Sequence, residues 1–290
     1  MESEPPGHAM IVDFHTHIFP PEIIARREQF AARDPWFGEL YGDPRATMAD
    51  AEGLLAEMAG SGVDHAVTFS FGWSDAGLIE ECNSYVIEAT QRHRGKLTGL
   101  AVIQPLAGAR AVAEVERCAR AGLAGVGELM PHGQGYSLAD TRIMTPIAEA
   151  CLAHGLLLLT HASEPVGHSY KGKGNVSPRD LYTFIQAYPT LRVVAAHWGG
   201  GFPFYELMPE VHTAAANLWY DSAASLYLYR PEVFATVGAI AGAEKVLWAS
   251  DYPLISQARM LAHLDAAGLA PAAQAQARGG NAAALLGLTP

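Results

Sequence analysis

From Met10 onward, short apolar runs rich in β-branched residues alternate with longer amphipathic or Ala-rich stretches, the pattern of buried parallel strands and their crossover helices. Eight runs read as strands: AMIVDFH near 9–15, DHAVTFS near 64–70, LTGLAVIQP near 97–105, LAGVGEL near 123–129, GLLLLTH near 155–161, LRVVAAH near 191–197, LWYDSA near 218–223 and KVLWASD near 245–251. Between them lie helix formers such as AGARAVAEVERCARAG, MTPIAEACLAHG and ISQARMLAHLDAAG, several ending in the Gly that a helix C-terminus favours. Eight such units without a Pro/Gly/Ser-rich linker between halves predict an α/β fold, a single (β/α)8 TIM barrel over residues 9–290 behind a loosely held tail, 1–8. The glycine fingerprint of a dinucleotide-binding sheet is missing, because IVDFHTH occupies its place after the first strand. The longest connection, 18–47, carries Phe19, Trp36, Phe37 and Tyr41 and reads either as a packed loop or as a lid.

Composition supports this and narrows the partners. The 290 residues are 50% hydrophobic and 17% charged, enough to bury a large core. A net charge of -11 without a Lys/Arg run argues against nucleic acid and anionic membranes, leaving a small molecule as the expected partner. The three cysteines, Cys82, Cys118 and Cys151, form no CxxC pair and read as reduced interior residues. The opening MESEPPGHAM lacks an apolar signal core and no later run reaches the ~20 apolar residues of a membrane span, so a cytoplasmic location is expected. Ala-rich stretches such as PAAQAQARGGNAAALLGL could pack on the barrel or on a second copy in a homo-oligomer.

The chemistry gathers at strand ends. His15 and His17 close the first strand two residues apart, where both side chains project to one side. Glu128 lies near the end of the fourth strand, His161 at the fifth, His197 at the sixth and Asp251 at the eighth. In a barrel these ends meet at one mouth, and buried carboxylates converging there call for a cation. Imidazole with carboxylate suits a divalent metal, zinc first, with manganese, iron or nickel also compatible. His8, His65, His93, His154, His212 and His263 fall away from that mouth and read as structural or solvated.

IVDFHTHIFP at the first strand, LLLLTHA at the fifth, AAHWGGGFPFYE at the sixth, WASDYP at the eighth and the terminal GNAAALLGL together resemble the amidohydrolase superfamily. The likeness is to its amidohydrolase-related branch, which includes aminocarboxymuconate semialdehyde decarboxylase, resorcylate-type decarboxylases and small-ring hydrolases, and it spans nearly the whole chain. It implies a metal held by His15, His17, His161 and Asp251, with His197 either a general acid/base or a ligand to a second ion. Many binuclear relatives bridge two metals with a carboxylated lysine on the fourth strand; this chain has Glu128 there, as do TatD-like deoxyribonucleases, or Glu128 could instead orient a ligand histidine.

The resulting expectation is a metal-dependent hydrolase of a small amide, lactone or ester, using a metal-activated water with Asp251 as the base and one or two divalent ions. The alternative is a non-oxidative decarboxylase or hydratase of a small aromatic or muconate-type acid, with His197 and Asp251 handling protons. Substrate contacts are expected from Trp73, His132, His168, Tyr170, Lys171, Trp198, Arg230 and Tyr252, since cations can clamp a carboxylate and rings can stack on apolar parts. Phe71, Lys173, Tyr227 and Tyr229 fall in the same loops.

Overall fold

The computed structural model describes residues 9–289, so the tail 1–8 lies outside the described residues. All eight strands form: β1 (Val12–His17), β2 (His65–Phe69), β3 (Leu97–Ala101), β4 (Gly125–Leu129), β5 (Leu157–Thr160), β6 (Val193–Ala195), β7 (Leu218–Asp221) and β8 (Val246–Leu247). They pair in parallel in sequence order. β8 is two residues long rather than seven, because the chain from Trp248 leaves the regular ladder to close the ring on β1. Phe14 N donates to Trp248 O at 3.1 Å, Asp251 N to His15 O at 3.0 Å and His17 N to Tyr252 O at 2.7 Å. The barrel is thereby shut beside the residues that matter most.

Strand residues alternate between two buried clusters, as period-two geometry requires when both faces are covered. Ala66, Val126, Leu158, Val193, Leu218 and Val246 join the cluster that contains helix residues such as Leu54, Val86, Val115 and Met144. Phe14, Val67, Phe69, Leu100, Leu159 and Val194 join a second cluster that continues into the aromatic residues of the 18–47 connection. The helix predicted from MTPIAEACLAHG runs Thr141–Ala153 and is followed by Gly155 at φ 64, a left-handed turn that a side chain would resist. The C-terminal Ala-rich segment packs on the barrel: Asn281 Nδ2 donates to Ala243 O at 2.7 Å and Val246 O at 2.8 Å. The three cysteines are buried thiols, and among the described residues no helix is long and apolar enough to cross a membrane.

The 18–47 connection folds into three short helices, α1 (Pro21–Ala25), α2 (Arg27–Arg33) and α3 (Pro35–Tyr41). It is at once packed and a roof. Asp34 caps α3 by accepting from the backbone N–H groups of Trp36 and Phe37, while its other oxygen accepts from Ser74 N, Ser74 Oγ and Asp75 N. Phe37 stacks between Trp73, at 4.4 Å, and Tyr41, at 5.0 Å. Trp36 lies so close over Gly133 that a β-carbon there would come within 1.9 Å of the indole.

Candidate metal centre

Six side chains meet at the C-terminal mouth of the barrel, all buried. They form two contiguous groups whose donor atoms lie within 4.8 Å of one another, His15–His17–Asp251 and Glu128–His161–His197. β1 delivers the first two histidines, with Nε2 of His15 and Nε2 of His17 3.2 Å apart. Asp251 Oδ1 lies 3.4 Å from His17 Nε2 and 3.7 Å from His15 Nε2. Glu128, within β4, faces both groups: Oε2 is 3.6 Å from His15 and 3.8 Å from His17, and Oε1 is 3.0 Å from His161 and 3.5 Å from His197. His161 follows β5 directly, but His197 and Asp251 stand beyond the last ladder residues of β6 and β8, each with a positive φ, 55° and 66°. Such left-handed conformations cost a residue with a β-carbon about 1–3 kcal/mol and persist where surrounding contacts over-determine them.

Each ring uses one nitrogen on a partner that can only accept. His15 Nδ1 donates to Asp221 Oδ2 at 3.0 Å, His17 Nδ1 to Ser70 O at 3.1 Å, His161 Nε2 to Lys173 O at 3.1 Å and His197 Nδ1 to Ala223 O at 2.9 Å. In the neutral rings the remaining nitrogens of His15, His17 and His197 are therefore bare lone pairs, while His161 stands between two acceptors, with Nδ1 3.0 Å from Glu128 Oε1. Three lone pairs and two carboxylates then face one another in a buried space, which is repulsive unless positive charge lies among them. The titration tendencies agree. Burial opposes charging His15, yet Asp221 and Glu128 more than offset it and lift its pKa well above the usual value. Burial likewise opposes charging His197, and Glu128 and Asp251 push it up to about 9. Burial would raise both acids, but the histidines hold Glu128 well below the carboxylate range and Asp251 at about 2. This donor set fits a divalent metal, with acceptors behind each ring holding it in the ligating tautomer.

A cavity of about 440 Å³ opens above the cluster, reaching His17, Glu128, His161, His197 and Asp251. Of the residues predicted to touch substrate, His168, Tyr170 and Lys171 line it. The other five do not. Trp73 is fully buried and stacks on Phe37, and His132 packs edge-on against Trp36 at 5.8 Å. Trp198 points into the helix layer, donating Nε1–H to Ser225 Oγ at 2.9 Å and meeting Phe234 at 4.9 Å. Tyr252 turns its hydroxyl to Gly53 O at 3.4 Å, and the Arg230 side chain is 87% exposed beside Glu232. The lining instead draws on Leu40, Tyr41, Ala46 and Thr47 of the roof and on Phe71, Met130, Tyr227 and Leu254. Sequence reasoning reached Phe71, Tyr227 and a lid, but gave Asp221 no role; its signal was a lone acid closing an apolar strand in LWYDSA.

Of the histidines read as structural or solvated, His65 pairs with Gly95 O and Thr98 Oγ1, His93 with Glu52, His212 with Glu206 and His263 with Ser225, while His154 is exposed just after the helix Thr141–Ala153. His8 lies outside the described residues.

Comparison with known proteins bears on the whole chain. No curated protein matches the sequence. Among solved structures, 5-carboxyvanillate decarboxylase from Sphingomonas paucimobilis superposes with a TM-score of 0.79 at 19% identity, covering 97% of this chain and 100% of that one. The 5-carboxyvanillate decarboxylase from Novosphingobium aromaticivorans, complexed with manganese and 4-hydroxy-3-methoxy-5-nitrobenzoic acid, gives 0.80 at 19% identity over 97% of each chain. A dihydroxybenzoic acid decarboxylase from Polaromonas, with manganese and the inhibitor 2-nitroresorcinol, gives 0.74 at 14% identity over 96% of this chain and 97% of that one. These likenesses share the barrel. A family model described as amidohydrolase matches residues 12–288, a span that takes in all eight strands and all six clustered side chains, and the chain accordingly belongs to the amidohydrolase family.

Proposed function

We propose that the protein is a metal-dependent carboxy-lyase that removes carbon dioxide from a small aromatic acid. The observation that carries this reading is the cavity wall: the aromatic and apolar residues Tyr41, Phe71, Met130, Tyr170 and Tyr227 line the space above the cluster, with Lys171 among them. A planar ring with a carboxylate matches such a space, its faces against apolar surface and its anionic oxygens toward cationic groups. The activities of the structurally similar decarboxylases support the same class.

A bound divalent ion would supply Lewis acidity, holding the substrate's oxygen atoms and drawing off negative charge. His15, His17, His161 and Asp251 are the residues proposed to hold it. Manganese accompanies two of the similar structures, and this mixed imidazole–carboxylate set suits it as well as zinc. In the reaction the bond between ring carbon and carboxylate breaks, its electron pair stays on the ring carbon, and that carbon takes a proton while carbon dioxide leaves. Asp251 and His197 line the cavity and are proposed to hold and pass that proton, at Asp251 Oδ2, since Oδ1 faces the proposed ligands His15 and His17, and at His197 Nε2. The roof from α3 and the loop after β5 contribute Leu40, Tyr41, His168, Tyr170 and Lys171 to the cavity wall and so narrow the access of bulk water to the carbon being protonated.

One observation favours a second reading, hydrolysis of a lactone, ester or amide. The two oxygens of Glu128 each address a different group of ligands, the disposition of a carboxylate shared by two cations. Metal titration of wild type and Glu128→Gln separates the readings. Saturation at two equivalents that falls to one in the variant supports the binuclear hydrolase; saturation at one equivalent in both leaves the decarboxylase.

A further inference from the structure

Asp221, the last residue of β7, is wholly buried, and its two oxygens are used differently. Oδ2 accepts from Nδ1–H of His15 at 3.0 Å. Oδ1 accepts from two backbone donors, His197 N at 3.1 Å and Ala223 N at 3.0 Å. No Lys or Arg forms an ion pair with this carboxylate among the described residues, and His15 is its ionic partner at 3.0 Å. One side chain thus reaches a proposed ligand on β1 and the turn after β6 together.

We infer that Asp221 is the positioning residue of the centre, fixing the tautomer of His15 through Oδ2 and the left-handed backbone of His197 through Oδ1. The inference rests on the reading of the cluster as a metal centre. A carboxylate can accept at both ends, and this place requires acceptance at both ends. Because Nδ1 of His15 must donate to it, the lone pair of that ring is confined to Nε2, the atom 3.2 Å from His17 Nε2 and 3.6 Å from Glu128. Because His197 N is held at φ 55° and ψ 46°, its ring is presented toward Glu128 Oε1. His197 Nδ1 is held in turn by the carbonyl of Ala223, whose own N–H is the third bond to Asp221. The three contacts hang on one carboxylate, so removing it loosens the proposed ligand His15 and the proton-handling His197 together.

Asp221→Asn tests this without changing size. The amide has one acceptor and one donor group. Two backbone donors hold the oxygen, since turning the NH2 toward them would oppose donors to donors and lose two hydrogen bonds for one gained. The NH2 then faces His15 Nδ1, which must accept, and the ring proton moves to Nε2. The ring stays in place with its lone pair turned away from the centre. Zinc is the probe, because it is diamagnetic. Competition with a chromophoric chelator should show zinc affinity 10- to 100-fold weaker in the variant, the usual cost of losing such a partner behind a ligand. In ¹⁵N-histidine spectra, zinc-loaded wild type should carry the His15 proton on Nδ1, and the variant on Nε2. Equal zinc affinity overturns the role of Asp221 alone. So does a His15 proton found on Nε2 in zinc-loaded wild type, a result that does not depend on the variant folding. Failure of the wild type to bind zinc or manganese overturns the metal-centre reading itself.

Discussion

The Nε2 atoms of His15 and His17 face each other at 3.2 Å while both Nδ1 atoms donate elsewhere, to Asp221 and to Ser70 O. Two imidazole lone pairs at that separation need a cation or protons between them. Loading the protein with a divalent metal should therefore raise its Tm by about 5–10 °C over the chelated form, since the ion binds the folded state alone. His17→Gln should abolish most of that rise while leaving the chelated Tm near wild type. A metal-independent Tm in the wild type would remove the reason for the contact.

Asp251→Asn should keep the fold, because Asn is among the few residues besides Gly that tolerate a left-handed backbone, and Asp251 has φ 66°. The amide oxygen can still reach the ion, but the side chain can no longer carry a proton. Steady-state kinetics at saturating metal should show kcat lowered by at least ~100-fold with the protein still folded. Near-normal kcat would leave proton transfer to His197.

The roof makes a separate prediction. The backbone at Gly133 is not left-handed, so the obstacle to a side chain there is the Trp36 indole, 1.9 Å from where a β-carbon would sit. Gly133→Ala should push α3 outward, costing about 1–3 kcal/mol of stability in denaturant unfolding. Tyr41 and Leu40 move with α3, so KM should rise more than kcat falls. A variant with unchanged stability and KM would show that the roof takes up the methyl group without moving.

His65 supplies a pH test remote from the mouth. Burial holds its pKa below the usual 6.5, and the neutral ring donates from Nδ1 to Gly95 O at 3.2 Å and accepts at Nε2 from Thr98 Oγ1 at 2.8 Å. The unfolded chain takes up a proton near pH 6.5 while the folded chain resists, so below that pH the unfolded state binds more protons. The stability contributed by neutral His65 is present above that value and is lost as pH falls. Unfolding free energies of wild type minus His65→Gln should therefore shrink between about pH 7.5 and about pH 5.5. A constant or growing difference would contradict this.

The barrel was legible because its strands are short apolar runs buried on both faces, and residues such as Val67, Leu158 and Val194 announce themselves by type. The six clustered groups were legible for a related reason: each is a polar residue at the end of such a run, where a barrel gathers them. Asp221 obeys that rule too, but it acts behind a ligand, and spacing does not tell a residue inside the cluster from one that supports it. Side-chain direction was hardest to read past the strand ends. His197 and Trp198 both have positive φ, 55° and 58°, so strand alternation no longer says which faces the cavity, and Trp198 turns to Phe234 instead. Trp73 is claimed by Phe37, a partner more than thirty residues earlier in the chain, and Leu40 and Thr47 reach the cavity only because α1 to α3 fold back over it.

The most direct measurement is release of carbon dioxide from a panel of hydroxylated and methoxylated benzoic acids, by protein stripped with a chelator and reloaded with manganese or zinc. Lactones, esters and amides are assayed in parallel. The account predicts that at least one aromatic acid yields carbon dioxide and the decarboxylated ring in equal amounts, in the metal-loaded protein and not in the stripped one. Hydrolysis of a lactone, ester or amide with no carbon dioxide from any acid, or equal turnover with and without metal, would contradict it.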